Sequence, residues 1–216
     1  AVAMVVAEDP YLAEDALEAI GVDWEVLPAV TSGRAALAPD APRLHDDLDS
    51  NLACELTAGF GDVERAFAEA DLVIEHDFRI QRMSGQPLET RGVVARWDEG
   101  KHGPELTVWD STQSAHTARR VLAEIFQLPW GAVRVIAPDV GGGFGARSPA
   151  SPEYIVAAHL ARRLGRPCRA VNTRSEDIAT TTHARDEVVR LEGAFDTEGR
   201  LLALRGRVVA NLGAFL

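Results

Sequence analysis

The order of hydrophobic and polar positions divides the chain into strand-like and helix-like segments. The strand-like segments are apolar or alternating runs rich in β-branched residues, and they cover residues 2–6, 22–27, 72–80, 91–97, 106–109, 133–137, 168–173, 187–195 and 201–210. The helix-like segments have apolar residues three and four apart behind a capping residue, and they cover residues 10–20, 63–70, 115–126 and 152–164. This order predicts a mixed α/β (α+β) fold in which helices cover a sheet, without strict βαβ alternation.

Residues 28–59 interrupt this pattern, because they contain three prolines, several aspartates and little periodicity. Such a stretch is typical of a linker or an extended crossing segment, so we place a domain boundary near residue 50. Residues 2–27 before it are predicted to form a compact β-α-β unit. The chain starts in one apolar run and stops at Leu216 in another, so we expect a fragment of a longer polypeptide.

Charge and composition narrow the classes of partner. The 216 residues carry a formal net charge of −11, which disfavours nucleic acid and anionic membranes as main partners. No apolar run reaches the roughly 18 residues of a membrane span. The two cysteines are far apart and the six histidines show no metal-ligand spacing. We therefore expect a reducing, cytoplasmic setting and no protein-ligated metal site.

A glycine-rich stretch after the strand-like run 133–137 is the strongest candidate for chemistry. Four glycines occupy five positions around Phe144, in Gly141–Gly145. Such a loop can bring backbone N–H groups close to an anionic or oxo group. It also matches the dinucleotide pattern Gly141-x-Gly143-x-x-Ala146, and it could be a purely structural turn. The next helix is delayed to Pro152, which disfavours a dinucleotide phosphate at its N-terminus.

Two other polar residues lie beside predicted strands. Glu89 precedes a strand, and on its own it is interpreted as a strand-edge residue. Gln113 lies between a strand and a helix. It could be a simple helix-entry residue or an amide donor directed at a ligand oxygen, and the residue pattern does not decide between these.

Together these segments resemble a known family. Pro87-Leu88-Glu89-Thr90, Ser111-Thr112-Gln113 and Val140-Gly141-Gly142-Gly143-Phe144-Gly145 are similar to motifs of the molybdenum hydroxylase large subunit. That family includes xanthine dehydrogenase, aldehyde oxidase and aerobic carbon monoxide dehydrogenase. Gln113 and Phe144 are 31 positions apart, as in the family's active-site glutamine and glycine–phenylalanine loop. Residues 165–167, 173–177 and 211–215 resemble its carbon monoxide dehydrogenase branch.

The resemblance implies a fold and a site. Residues 1–50 would be the end of an α/β hammerhead-like domain, and residues 51–216 the first part of the molybdenum-cofactor-binding domain. Gln113 would donate its amide to an oxygen on molybdenum. The backbone of Gly142, Gly143, Phe144 and Gly145 would line the cofactor, with the Phe144 ring facing the substrate pocket. The pterin dithiolene would hold the metal, so no protein ligand is needed.

The implied reaction is oxidation of a small substrate (CO, an aldehyde or an N-heterocycle) with water as the oxygen source. The cofactor would be molybdopterin in its cytosine dinucleotide form, with 2Fe-2S and FAD on partner subunits in a dimer of heterotrimers. Ser148 stands where xanthine-oxidising members have a substrate-binding glutamate, which counts against purines. The family's general-base glutamate would lie past Leu216, so this chain alone is expected to be inactive. The alternatives are a non-catalytic fragment that binds the cofactor or completes another subunit, and a dinucleotide-binding protein.

Overall fold

The structure is a computed structural model that describes residues 2–148 and 151–214. Its helices are α1 (Pro10–Glu18), α2 (Gly33–Ala36), α3 (Val63–Ala68), α4 (Ala115–Phe126), α5 (Pro152–Leu164) and α6 (Arg174–Thr180). Its strands are β1 (Leu72–Ser84), β2 (Gly92–Gly100), β3 (Gly103–Asp110), β4 (Val133–Ile136), β5 (Cys168–Val171), β6 (His183–Phe195) and β7 (Leu201–Ala210). The chain divides into two compact units, Ala1–Thr57 and Ala58–Leu216.

The first unit confirms one sequence prediction and contradicts another. Helix α1 begins as predicted, because Asp9 Oδ1 accepts the N–H groups of Tyr11 and Leu12 at 2.9 and 3.0 Å. The strands predicted at 2–6 and 22–27 are wrong, since residues 2–57 contain no strand in the structure. A strand needs a neighbour for its backbone hydrogen bonds, and neither segment has one. The predicted compact β-α-β unit is therefore not formed.

The segment predicted as a linker has more local order than its composition indicates. It contains the short helix α2, and Asn51 ties its parts together. The Asn51 amide donates to Ala36 O at 3.1 Å and Pro42 O at 3.0 Å, and its oxygen accepts from Leu44 N at 2.9 Å. Side-chain bonds of this kind replace a regular backbone ladder.

The second unit contains two sheets rather than the single sheet that the pattern predicts. One has the order β4-β3-β2-β5, with β3 and β4 parallel and the other pairs antiparallel. The other is a three-stranded antiparallel sheet of order β1-β6-β7. The strands predicted at 187–195 and 201–210 are confirmed and pair as a hairpin, whose turn closes with Gly199 N donating to Asp196 O at 3.0 Å. None of the helices in the described ranges is long and apolar enough to cross a membrane.

The core lies between the four-stranded sheet and helices α4 and α5. Its fully buried residues include Ala95, Leu106, Val108, Leu122 and Ala158. Helix α5 turns small residues toward β2, which allows a close approach: the indole N–H of Trp97 donates to Ala158 O at 2.6 Å. This packing fixes the sheet from which the candidate site extends.

Helix α6 lies where a strand was predicted to end, and it was not among the predicted helices. The predicted strand 168–173 stops at Val171, and α6 follows after a capping box. Thr173 Oγ1 accepts from Glu176 N at 3.2 Å, while the Glu176 carboxylate accepts from Thr173 N at 2.7 Å. Arg174 and Asp177 of this helix hydrogen-bond to residues 87–91, the segment before β2.

Candidate functional site

The topology of the four-stranded sheet brings Gln113 next to the glycine loop Gly141–Gly145. Strands β3 and β4 are parallel neighbours, with Trp109 opposite Ile136. Gln113 follows the end of β3, and the glycine loop follows the end of β4. The carboxyl ends of parallel neighbours lie at the same edge of a sheet, so the two segments meet although α4 separates them in sequence.

The side chain of Gln113 is held against the loop by its amide oxygen. This oxygen accepts hydrogen bonds from the backbone N–H of Gly145 at 2.9 Å and of Arg147 at 3.3 Å. A backbone N–H can only donate, so it is the oxygen of the amide that faces the loop. The Nε2 group is then directed away from these donors, and it has no hydrogen-bond partner among residues 2–148 and 151–214.

Glycine at position 143 makes this contact possible. A Cβ on Gly143 would lie 2.5 Å from Gln113 Oε1 and closer still to the carbons behind it. A Cβ on Gly141 would similarly lie 2.5 Å from the Cβ of Glu89. Both glycines are therefore required by close approach of a neighbouring side chain.

Phe144 adopts an unusual backbone conformation and is exposed. Its φ is +53°, in the left-handed region that bulky residues rarely occupy. The residue is 75% exposed, so it is not part of the core. Strain and exposure at one aromatic residue are typical of functional loops.

Several backbone donors of the loop are used internally and others are not. Gly141 N donates to Glu89 Oε2 at 2.7 Å, and Ala146 N donates to Gly143 O at 3.0 Å. Within the part of the chain that the structure describes, the N–H groups of Gly142, Gly143 and Phe144 have no protein acceptor. Together with Gln113 Nε2, the loop therefore offers donors and no carboxylate of its own.

Glu89 and Arg147 complete the site, and sequence reasoning did not assign either a role. Glu89 was interpreted as a strand-edge residue, and this interpretation is incomplete. Arg147 Nη1 forms an ion pair with Glu89 Oε2 at 2.6 Å, and its side chain is only 2% exposed. The sequence signal for Arg147 was a cation two residues after the glycine loop. Its partner Glu89 lies 58 positions away, so the hydrophobic pattern could not identify the pair.

A polar cavity of about 80 Å³ lies behind Arg147 and contains a perturbed carboxyl group. Its lining includes Asp110, Arg91, Thr112 and Arg147. Burial raises the pKa of Asp110 from 3.8 to about 6, against the opposing charge of Arg147. Burial, and then the charge of Asp110, raise the pKa of Tyr154 to about 12.

The site has no cluster of protein metal ligands in the described ranges. No group there of three or more His, Cys, Asp or Glu residues is arranged to hold a metal ion. Helix α5 begins only at Pro152, after the glycine loop, so its N-terminus does not open within the dinucleotide-like pattern. The free N–H donors suit an acceptor-rich group, and the late start of α5 disfavours a dinucleotide phosphate at its N-terminus.

Comparison with known proteins decides which family this is. The sequence pattern of the molybdopterin cofactor-binding domain matches residues 44–216. The chain belongs to that family. It is 38% identical over 214 residues to the 6-hydroxypseudooxynicotine dehydrogenase complex subunit gamma of Paenarthrobacter nicotinovorans, covering 99% of this chain and 26% of the relative. It is 37% identical over 227 residues to the carbon monoxide dehydrogenase large chain of Hydrogenophaga pseudoflava, covering 99% and 28%.

A solved structure supports the same assignment. Quinoline 2-oxidoreductase from Pseudomonas putida 86 superposes with a TM-score of 0.86 at 36% identity, covering 94% of this chain and 25% of that one. The resemblance to molybdenum hydroxylase large subunits and the mixed α/β fold are thereby confirmed. The chain spans about a quarter of the length of these relatives.

Proposed function

We propose that the chain forms one part of the molybdenum site in the large subunit of a molybdenum hydroxylase. That enzyme oxidises a small substrate and takes the new oxygen from water. The observation that carries the proposal is the orientation of Gln113, whose oxygen accepts from Gly145 N at 2.9 Å while its NH2 group has no partner within the described residues. Membership of the molybdopterin cofactor-binding domain family supports it.

The residues fit a bound molybdenum–pterin group. They offer N–H donors from Gln113, Gly142, Gly143 and Phe144, which suit oxo and pterin oxygen acceptors. Gly143 packs closely on Gln113, since a Cβ at position 143 would lie 2.5 Å from Oε1. This packing fixes the amide. In this proposal no protein side chain ligates the metal. When bound, the molybdenum–pterin group supplies the two-electron oxidation chemistry.

In this proposal each residue has a separate task. Gln113 Nε2 would donate a hydrogen bond to an acceptor of the bound group and so orient it. The backbone of Gly142, Gly143 and Gly145 lines the group. The exposed ring of Phe144 forms a wall of the substrate pocket and excludes water from it. No residue of this set removes a proton from water, so that task falls to the rest of the large subunit.

The proposed substrate is CO, an aldehyde or an N-heterocycle. The relatives named for 6-hydroxypseudooxynicotine and for carbon monoxide are 38% and 37% identical to this chain. Ser148 is uncharged and offers no carboxylate to a purine. We further propose the cytosine dinucleotide form of the cofactor, and electron transfer to 2Fe-2S and FAD subunits in a cytoplasmic dimer of heterotrimers.

The chain would act only together with the rest of the large subunit. Residues 1–50 would belong to the α/β hammerhead domain, and residues 51–216 to the first part of the cofactor-binding domain. The second candidate function is non-catalytic, with the chain binding the cofactor or completing another subunit. The observation behind this second function is that the chain covers only 26% of its relative's length.

Analysis of the intact purified complex separates these functions. We expect stoichiometric molybdenum, an oxidised pterin fluorophore, and cytidine monophosphate after acid hydrolysis. We also expect reduction of an artificial electron acceptor with CO, aldehydes or N-heterocycles. A complex without molybdenum and pterin would overturn the proposed enzyme, and a loaded complex inactive on all three substrate classes would favour the non-catalytic function.

A further inference from the structure

Arg147 joins the segments that make up the candidate site. Its buried guanidinium donates from Nη1 to Glu89 Oε2 at 2.6 Å and to Ser111 O at 3.2 Å, and from Nη2 to Glu89 O. Its main-chain oxygen accepts from Gln113 N at 3.1 Å and from Thr112 Oγ1 at 3.1 Å. One residue therefore contacts the segment before β2 and the segment after β3, and it lies two residues after the glycine loop.

Glu89 holds the opposite end of the glycine loop. The carboxylate oxygen that binds Arg147 also accepts from Gly141 N at 2.7 Å, and Glu89 N donates to Gly141 O at 3.3 Å. Gly141 begins the loop and Arg147 follows its end. The two ends of the loop are thus tied to a single carboxylate, so the loop is fixed at both ends.

Helix α6 holds the segment 87–91 from its other side. Arg174 donates from Nη1 to Pro87 O at 2.8 Å and from Nη2 to Leu88 O at 2.5 Å. Asp177 is buried, and its Oδ1 accepts from Arg91 N at 3.3 Å. The segment 87–91 has no regular secondary structure, so these side chains determine its position.

We propose that Glu89, Arg147 and Arg174 are positioning residues for Gln113 and the glycine loop. Arg174 places the segment 87–91, Glu89 transmits that placement to Gly141 and Arg147, and Arg147 fixes the backbone N–H that holds Gln113 Oε1. None of the three needs to touch substrate or cofactor. This inference rests on the proposed function, because the amide it orients is the one assigned to the bound molybdenum group.

The residue types at these positions are specific to this task. The planar guanidinium of Arg147 reaches two acceptors of Glu89 and one of Ser111 from two separate nitrogens, whereas the three donors of lysine share a single nitrogen. The pair is also buried on the arginine side, where an unpaired charge is costly. Arg147→Lys therefore keeps the charge and removes the geometry, while Glu89→Gln keeps the shape and removes the charge.

The test compares these variants in the intact enzyme complex. We expect Arg147→Lys, Glu89→Gln and Arg174→Ala to retain molybdenum while lowering kcat by about 10-fold to 100-fold, the range for groups that orient a metal's surroundings. KM should change less than kcat. The electron paramagnetic resonance signal of pentavalent molybdenum should shift, because its hydrogen-bonded neighbour has moved. Arg96→Ala, an exposed arginine on β2, serves as the matched control and should behave as wild type.

A second readout needs no cofactor. Amide hydrogen exchange in the demolybdated complex should become faster at Gly141, Gly145 and Arg147 in each variant, and not in Arg96→Ala. Unchanged exchange, resonance signal and kcat in loaded variants would overturn the positioning role. If Arg147→Lys does not assemble, Arg174→Ala and Glu89→Gln decide in the same way. Wild-type enzyme without molybdenum would instead overturn the proposed function. The exchange measurement would still test whether Glu89, Arg147 and Arg174 fix the glycine loop.

Discussion

The side-chain oxygen of Gln113 accepts the backbone N–H of Gly145 at 2.9 Å across 32 positions of sequence. This bond fixes which end of the amide faces the loop. It leaves the NH2 group as the end available to a bound group, so the two ends of one side chain have different tasks. Substitutions can separate these tasks.

Gln113→Glu should lower kcat of the intact enzyme about 100-fold, the usual effect of losing one donor at a charged reaction centre. The carboxylate can still accept from Gly145 and Arg147, so the loop should stay in place. Gln113→Ala should lower kcat at least as much and also loosen the loop. Steady-state kinetics and amide exchange distinguish the variants, and wild-type kcat in Gln113→Glu would contradict the donor role.

Gly143→Ala should lower kcat by about 100-fold, because displacement of an orienting group by about 1 Å is sufficient for such a loss. The new Cβ would come within 2.5 Å of Gln113 Oε1 and force the amide aside. Gly131→Ala is the control, since a Cβ there meets nothing within 4 Å. Equal kinetics for the two alanine variants would show that the contact is unimportant.

Phe144→Ala should raise KM for substrate by about 10-fold with a smaller change in kcat, as expected when uniform binding is lost. Phe144 is 75% exposed as a residue, so little packing is removed with its side chain. Phe60→Ala, at a residue 96% exposed and outside the loop, should leave KM unchanged. A fall in kcat at constant KM would instead show that Phe144 makes its contact only in the transition state.

Asp110→Asn should make the protein more resistant to unfolding at neutral pH. The folded-state pKa of Asp110 is about 6 against an ordinary 3.8, so between these values the folded protein binds more protons than the unfolded chain. The free energy of unfolding therefore falls as pH rises from 3.8 to 6. Above that range the charged carboxylate of Asp110 destabilises the folded protein by about 3 kcal/mol.

Unfolding midpoints from about pH 4 to pH 8 test this prediction. The gain in Asp110→Asn should be largest above pH 6 and shrink as pH falls toward 4. Asp98→Asn, at an exposed carboxylate on the neighbouring strand, is the control and should keep the wild-type profile. A gain that is constant with pH would indicate a packing effect and not the titration of Asp110.

Local signals predicted most of the second unit correctly. Helix α4 and helix α5 have the predicted bounds, because caps, spacing of apolar residues and terminating residues agree there. The strand predictions at 2–6 and 22–27 are wrong because an apolar or alternating run shows which side chains a segment could bury. It does not show whether a neighbouring strand exists to pair with it. Helix α6 was missed although its Thr173–Glu176 capping box is readable in the sequence.

The candidate site was less accessible to residue-by-residue reasoning. Gln113 and the glycine loop were linked only through resemblance to a family, since nothing local to Gln113 indicates which loop it faces. Glu89 and Arg147 were missed because an ion pair across 58 positions depends on the fold. Pairing of distant charges follows from topology, which the hydrophobic pattern specifies only coarsely.

The parallel register of β3 and β4 sets the dimensions of the site. Trp109 lies opposite Ile136, so Gln113 and the glycine loop start from neighbouring points on one sheet edge. A slip of two residues in that register would carry the loop about 7 Å along the strand and out of reach of the amide. The connection through α4 can therefore change in length without altering the site, whereas a residue inserted within β4 would displace the glycine loop relative to Gln113.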